Sequence, residues 1–177
     1  MEQKVLRAVM VCLLLMSMAI LGRETAAYVE TVNAVNALQG NNADTDGIPT
    51  VVIDAGHGGD DPGKIGINGA PEKDINLRIT EKLRQYLEAD GIRVVLTRET
   101  EDGLYDASAP NKKVQDMKRR IEKIEQTDPV LTVSIHQNKF TQSQYDGTQV
   151  FYSGNHEESR LLASAIRESV TGLLQPD

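Results

Sequence analysis

The chain has 177 residues, of which 40% are hydrophobic and 25% charged, and its formal net charge is −7. This length predicts one domain. The acidic balance argues against a nucleic acid partner, because phosphate binding needs an excess of Lys and Arg. Cys12 is the one cysteine in the sequence. A disulfide within the chain is therefore excluded, and a metal site in the folded domain cannot be built from thiolates.

The N-terminal residues have the pattern of an export signal. Lys4 and Arg7 precede an almost uninterrupted apolar run from Ala8 to Leu21. The run has about 14 residues, fewer than the roughly 18 to 20 that span a bilayer, and the small residues at 25–27 fit a signal peptidase site. We therefore predict a signal peptide over residues 1–27 and a domain outside the cytoplasm. The alternative is an uncleaved anchor that holds the domain at the membrane.

Residues 28–49 are predicted to be a linker, because they are rich in Asn, Ala, Thr and Asp and lack periodicity. Strands and helices then alternate from Thr50 onward. The predicted strands are 51–53, 92–97, 130–135 and 149–152, and the predicted helices begin near Pro71, near Val114 and at Glu157. This alternation predicts an α/β sandwich of three layers, with a mostly parallel central sheet flanked by helices.

Side-chain patterns add expectations about which faces are buried. The first helix is expected to bury a face that recurs every four residues, formed by Ile75, Ile79, Leu83 and Leu87. The second helix has an apolar stripe opposite most of its basic residues, formed by Val114, Met117, Ile121 and Ile124. The strand over 130–135 has the strongest β-branched content, which predicts a central position in the sheet.

Two histidines follow apolar strands directly. His57 ends a segment that begins at Val51, and His136 follows the strand over 130–135. Ligand sites in open α/β sheets lie beyond the carboxyl ends of the strands. With Glu72 at the start of the intervening helix, these residues suggest a zinc site of two histidines and one carboxylate, whose open fourth position holds an acidified water. The alternative is that both histidines are hydrogen-bonded structural residues.

Asp54 lies three residues before His57. It is predicted to accept a hydrogen bond from the second ring nitrogen of His57, as outer carboxylates of metal sites do. The alternative is that Asp54 only turns the end of the strand. The glycines at 56, 58 and 59 do not indicate a phosphate loop, because no Lys-Ser/Thr pair follows them and no helix begins there.

Four ordered motifs resemble those of the zinc-dependent N-acetylmuramoyl-L-alanine amidases of the type 3 group. They are Asp54–Gly59, Glu72–Leu77, Leu96–Glu99 and Ser134–Asn138. The resemblance covers roughly residues 50–174. The segment Thr97–Tyr105, with 111–113 soon after, further resembles the germination-specific branch of spore-forming bacteria.

This resemblance implies that His57, Glu72 and His136 bind zinc. It also implies hydrolysis of the amide between the lactyl group of muramic acid and L-alanine, with peptidoglycan as partner in the cell wall or the space around the forespore. Asn138 is implied to lie near the substrate. Arg98 is carried as a second candidate substrate contact, with a structural ion pair as its alternative.

Members of this family carry a catalytic glutamate on a late strand, ahead of a Gly-Phe pair. The sequence ends at Asp177 without it. We therefore expect a zinc amidase domain over 50–177 that lacks its last strands, and its catalytic residue is left unassigned. We expect this form to hydrolyse its substrate at least ~100-fold more slowly than an extended form. The main alternative is a weakly active or inactive protein that binds zinc or cell wall; a zinc deacetylase acting on the same polymer is a further one.

Overall fold

The computed structural model describes residues 48–137 and 147–174. The first of these ranges belongs to one compact unit and the second to another. The predicted signal peptide over 1–27 and all but the end of the linker over 28–49 lie outside the described residues, as does Asn138.

A parallel sheet forms the centre of the first unit. Its strands are β1 (Thr50–Ala55), β2 (Arg93–Leu96) and β3 (Leu131–Ile135), in the spatial order β2-β1-β3. Ile53 is in register with Leu96 on one side and Val133 on the other. All three carboxyl ends therefore meet at one edge, as the alternation of strands and helices predicted.

The central strand is β1, so the expected central position of the strand over 130–135 was wrong for the described residues. The side chains of β1 are almost all buried, whereas those of β3 alternate between half-buried and exposed. A high β-branched content shows that a segment suits a pleated surface, but it does not show how many neighbours the strand has.

Helix α1 (Glu72–Ala89) covers one face of the sheet, and Pro71 immediately precedes it. Leu83 and Leu87 pack against the buried cluster of β1 and β2, which comprises Val51, Ile53 and Leu96. Ile79 is exposed, contrary to the expected apolar face. A four-residue step turns about 40° beyond a full helical turn, so a series with this spacing drifts away from the core.

Helix α2 (Lys112–Thr127) approaches the opposite face of the sheet. Its Arg120 bonds to Asp54, and the side chain of Asp54 points away from that of its neighbour Ile53, which lies on the face covered by α1. The described sheet is thus flanked on both sides, as predicted. The buried residue of α2 is Arg120, while its apolar stripe is exposed at Val114, Met117 and Ile121. Helical periodicity shows which residues share a face, and the sheet decides which face is buried.

The second unit contains helix α3 (Glu157–Leu174), which begins where the sequence predicted. Residues 149–152 are not a strand, contrary to prediction, and Phe151 is 80% exposed. Their side chains suit a strand, but a strand forms only where a neighbour completes the ladder of hydrogen bonds. None of the described helices is long and apolar enough to cross a membrane.

Candidate metal centre

The turn after β1 presents the first histidine of the site. His57 lies in the left-handed region, with a φ of 63°, and glycines flank it on both sides. Such a conformation costs a residue with a side chain roughly 1 kcal/mol or more, and it persists where the surroundings fix it. Gly58 and Asp61 then exchange two backbone hydrogen bonds of 3.1 Å, which bring the Asp61 carboxylate back beside the His57 ring.

Three elements bring their candidate ligands together. His57 follows β1, Glu72 is the first residue of α1, and His136 is the first residue after β3. A glutamate Oε1 lies 3.3 Å from Nε2 of His57 and 3.1 Å from Nδ1 of His136. One ligand atom from each residue lies within 4.8 Å of the others. The predicted trio therefore forms a cluster in the folded chain.

The ring of His136 packs directly over Gly56. A Cβ atom at Gly56 would lie 2.3 Å from Cε1 of that ring, too close for any side chain. The two histidine rings meet edge to face, with centroids 4.9 Å apart and planes at 80°. Gly56 thus leaves the space that lets His136 approach His57.

The Glu72 carboxylate is held as an anion inside the protein. It is 3% exposed, and its oxygens accept the backbone N–H groups of Lys64, at 2.9 Å, and Gln137, at 2.8 Å. Burial by itself would raise the pKa of Glu72, but these two N–H groups and the nearby His57 hold that pKa below its ordinary value. Glu72 therefore offers a charged oxygen to a cation at neutral pH.

The donor set fits a zinc ion. Ligand atoms at tetrahedral zinc, about 2.0 to 2.1 Å from the metal, lie about 3.3 Å from one another. The contacts of Glu72 with His57 and His136, at 3.3 Å and 3.1 Å, have this spacing, and the third separation, between the two histidines, is within 4.8 Å. Two imidazoles and one carboxylate are a ligand set of hydrolytic zinc sites, which leave the fourth position to water or substrate.

Asp54 does not orient His57, contrary to the sequence-based prediction. Its carboxylate accepts hydrogen bonds of 2.7 Å from Thr97, Ser134 and Arg120. Asp54 lies on the face of β1 that meets α2, and the turn at His57 directs the ring elsewhere. Among the described residues, the carboxylate beside the second ring nitrogen of His57 is that of Asp61, at 3.0 Å.

The pKa of Asp61 shows how firmly its charge is held. Partial burial would raise this pKa, but hydrogen bonds with His57 and with the Gly63 N–H lower it to about 2. Asp61 is therefore a carboxylate at neutral pH. The sequence signal for it is a carboxylate four residues after the histidine, within a glycine turn.

Arg98 was a candidate substrate contact, with a structural ion pair as its alternative, and the structure buries it at 2% exposure. Its guanidinium donates to four backbone carbonyls, those of Ala55, Gly56, Lys73 and Thr100. Among the described residues, Arg98 thus binds the main chain and not a carboxylate, so the alternative of a structural role is met by backbone contacts. Arg98 lies just beyond β2, an edge strand of the described sheet, and its guanidinium reaches backbone carbonyls at the end of β1, which need donors where the chain leaves the sheet.

Asn76 is a residue of the site that the sequence analysis missed. It is fully buried, and its Nδ2 donates to the Gly56 carbonyl at 3.1 Å and to Oε1 of Glu72 at 3.4 Å. Its Oδ1 accepts from the Gln137 side chain at 3.4 Å. Asn76 thus links the three segments that carry the candidate ligands. Its position one turn after Glu72 was the available signal.

Comparison with known proteins gives consistent matches. Residues 51–176 match the Amidase_3 family model, described as N-acetylmuramoyl-L-alanine amidase. The germination-specific N-acetylmuramoyl-L-alanine amidase of Bacillus subtilis is 31% identical over 123 residues, which are 68% of this chain and 52% of that protein. The chain thus spans about half the length of this relative.

Two solved structures share the fold. The CwlD amidase from Clostridioides difficile, in complex with the GerS lipoprotein, superposes with a TM-score of 0.65 at 41% identity, covering 70% of this chain and 65% of that one. The catalytic domain of CwlV from Bacillus (Paenibacillus) polymyxa gives a TM-score of 0.54 at 32% identity, covering 66% and 59%. Because the family model matches well over half of its residues, the chain belongs to the N-acetylmuramoyl-L-alanine amidase family.

Proposed function

We propose that this protein is a zinc-dependent amidase of peptidoglycan, which hydrolyses the amide between the lactyl group of N-acetylmuramic acid and L-alanine. The observation that carries the proposal is the cluster of His57, Glu72 and His136 at the carboxyl edge of the parallel sheet. Membership of the amidase family supports the choice of bond. A bound zinc would supply an acidified water as the nucleophile at neutral pH.

The protein's own residues prepare this site in three ways. Asp61 accepts a hydrogen bond from Nδ1 of His57, which leaves the Nε2 lone pair directed at the cluster. The N–H groups that bind Glu72 fix its oxygens. Gly63 keeps the approach clear, because a Cβ there would lie 2.7 Å from both Oε2 of Glu72 and Cδ2 of His57.

We further propose that the substrate is spore cortex peptidoglycan. The similar protein of Bacillus subtilis is a germination-specific amidase. In this chain, the segment that resembles the germination branch contacts the turn over residues 57–61. The Asp60 N–H donates to the Tyr105 hydroxyl at 2.5 Å, and Lys112 and Lys113 pair with Asp60 at 2.6 Å and Asp61 at 3.3 Å.

The proposed location is outside the cytoplasm, where peptidoglycan is accessible. The CwlD amidase was solved in complex with a lipoprotein. We propose that a lipoprotein also accompanies this chain. Affinity capture of the tagged chain from sporulating cells tests this proposal. A His136→Ala chain and an unrelated secreted enzyme are the comparisons. Recovery of no lipoprotein with either amidase chain would argue against the proposed partner.

The activity is tested on the purified 177-residue chain loaded with zinc. We expect about one zinc per chain and release of peptides with a free L-alanyl amine from muropeptides, faster from cortex than from vegetative wall. His136→Ala should lose both zinc and amine release. His156→Ala is the matched control, since this exposed histidine lies in the other unit.

The possible outcomes separate the hypotheses. Zinc bound without amine release would support the binding-only alternative. Release of acetate in place of peptide amines would support a deacetylase. A chain that binds no zinc, or a His136→Ala variant that binds it as well as wild type, would refute the proposed site.

A further inference from the structure

Two buried arginines converge on the end of β1. Arg98 donates to the carbonyls of Ala55 and Gly56, and Arg120 donates to those of Ala55 and His57. Three consecutive carbonyls thus receive cationic donors just where the chain leaves the sheet. Charged donors bind carbonyl oxygens more strongly than neutral ones, so this segment of backbone is held firmly.

Arg120 is the arginine that reaches the candidate ligand itself. Its Nη2 donates to the His57 carbonyl, and its Nη1 donates to the Ala55 carbonyl at 2.6 Å. His57 has the left-handed backbone conformation that a residue with a side chain seldom adopts. The direction in which its ring points depends on that conformation, so a donor on its carbonyl also constrains the ring.

The guanidinium is itself fixed by two carboxylates. Asp54 accepts from Nη1 at 2.7 Å, and Asp116, one turn earlier in α2, accepts from Nε at 2.6 Å. Asp116 also accepts the backbone N–H of Leu104 at 2.6 Å. Arg120 is 3% exposed. Its planar head is therefore locked between helix α2 and the end of β1, with each nitrogen assigned to an acceptor.

We propose that Arg120 is a positioning residue of the metal site, which sets the affinity for zinc by holding the His57 backbone in its left-handed conformation. This inference rests on the proposed zinc function. It makes α2 part of the metal centre although no side chain of that helix belongs to the cluster of candidate ligands. The fork of the guanidinium is what the role requires, because one ammonium group cannot serve Asp54, Ala55 and His57 in this geometry.

A purely structural role makes a different prediction. If Arg120 only neutralised Asp54 and Asp116, a lysine would retain the charge and largely restore the site. If it positions His57, Arg120→Lys should fold but bind zinc weakly. The two roles are separated by comparing zinc affinity with the stability of the metal-free protein.

The test measures the zinc dissociation constant of the full chain by competition with a chelator. The absorption bands of the cobalt-loaded protein report ligand geometry, and melting of the metal-free form reports the fold. We expect Arg120→Lys to weaken zinc binding by about tenfold or more and to alter the cobalt bands, while the metal-free protein still melts cooperatively. Arg119→Lys is the matched control, because Arg119 is the neighbouring arginine and pairs on the surface with Asp106.

A wild-type zinc affinity and an unchanged cobalt spectrum in Arg120→Lys would overturn the inference. If that variant does not fold, Asp116→Asn decides, since it leaves Arg120 in place but loosens its Nε. It should weaken zinc binding in the same direction by a smaller factor, and a wild-type affinity there would equally overturn the inference. Failure of wild type itself to bind zinc would instead refute the proposed function.

Discussion

Asp61 and His57 are joined by a contact of 3.0 Å between the carboxylate Oδ2 and the ring Nδ1. The same oxygen lies 3.3 Å from Nζ of Lys113, at the start of α2. A carboxylate on the outer nitrogen of a metal-binding histidine fixes the tautomer of the ring and increases its basicity. The relationship therefore predicts that Asp61 contributes to zinc affinity without binding zinc.

Asp61→Asn should lower zinc affinity by about tenfold, because the amide can still accept a hydrogen bond but lacks the charge. Calorimetric titration of the metal-free chain measures this. Asp60→Asn is the control, since Asp60 lies in the same turn but pairs with Lys112 away from the ring. Equal affinities in wild type and Asp61→Asn would show that the contact has no role in metal binding.

Gly56→Ala should remove His136 from the site while the fold persists. The added Cβ would lie 2.3 to 2.6 Å from three atoms of the His136 ring, which is half exposed, so we expect the ring to move toward solvent. We expect zinc affinity to fall by more than about 100-fold, beyond the usual loss for an outer partner, with a small change in melting temperature.

Gly154→Ala is the matched control for this substitution, because a Cβ at that position meets no atom within 4 Å. Its zinc affinity should equal that of wild type. If Gly56→Ala retained zinc, metal binding would not require the ring of His136 in the position that it has in the structure.

The ionisation of Asp54 should make the free energy of unfolding depend on pH. Burial would raise the pKa of Asp54, but the Arg120 charge and hydrogen bonds from Ser134 and Thr97 hold it below the ordinary value of 3.8. Since the folded pKa is lower than the unfolded one, the stabilisation is present above about pH 4 and is lost as the pH falls through the folded pKa. Denaturant unfolding of the metal-free chain between pH 7 and pH 2.5 should show this loss.

Asp54→Asn should be less stable at pH 7 by about 3 kcal/mol, because it leaves the buried Arg120 with one carboxylate. Its stability should also decline less below pH 4. Asp106→Asn removes an exposed partner of Arg119 and should leave stability close to that of wild type. Parallel pH profiles for wild type and Asp54→Asn would contradict the assignment.

The candidate ligands could be predicted from the sequence because each has a local signal. His57 and His136 follow apolar strands, and parallel strands place their carboxyl ends at one edge. Glu72 follows a proline at a helix start, where carboxylates are favoured. These signals need no knowledge of which distant residues meet, and the structure brings all three residues into one cluster.

The supporting contacts could not be predicted because they depend on packing between distant segments. Asp54 and Asp61 are equally plausible partners by spacing, and the positive φ of His57 determines which one its ring meets. Arg120 lies 63 residues from the carbonyl it binds. The sequence of α2 does not reveal that Arg120 is buried, because the apolar stripe of the helix suggests that a different face points toward the sheet.

The central claim is that zinc is bound by two imidazoles and one carboxylate. X-ray absorption at the zinc edge, on the full chain loaded with one equivalent, tests it most directly. We predict nitrogen and oxygen ligands at about 2.0 to 2.1 Å, with the scattering of two imidazoles that falls to one in His136→Ala. A sulfur ligand at about 2.3 Å, or a spectrum that His136→Ala leaves unchanged, would contradict the account.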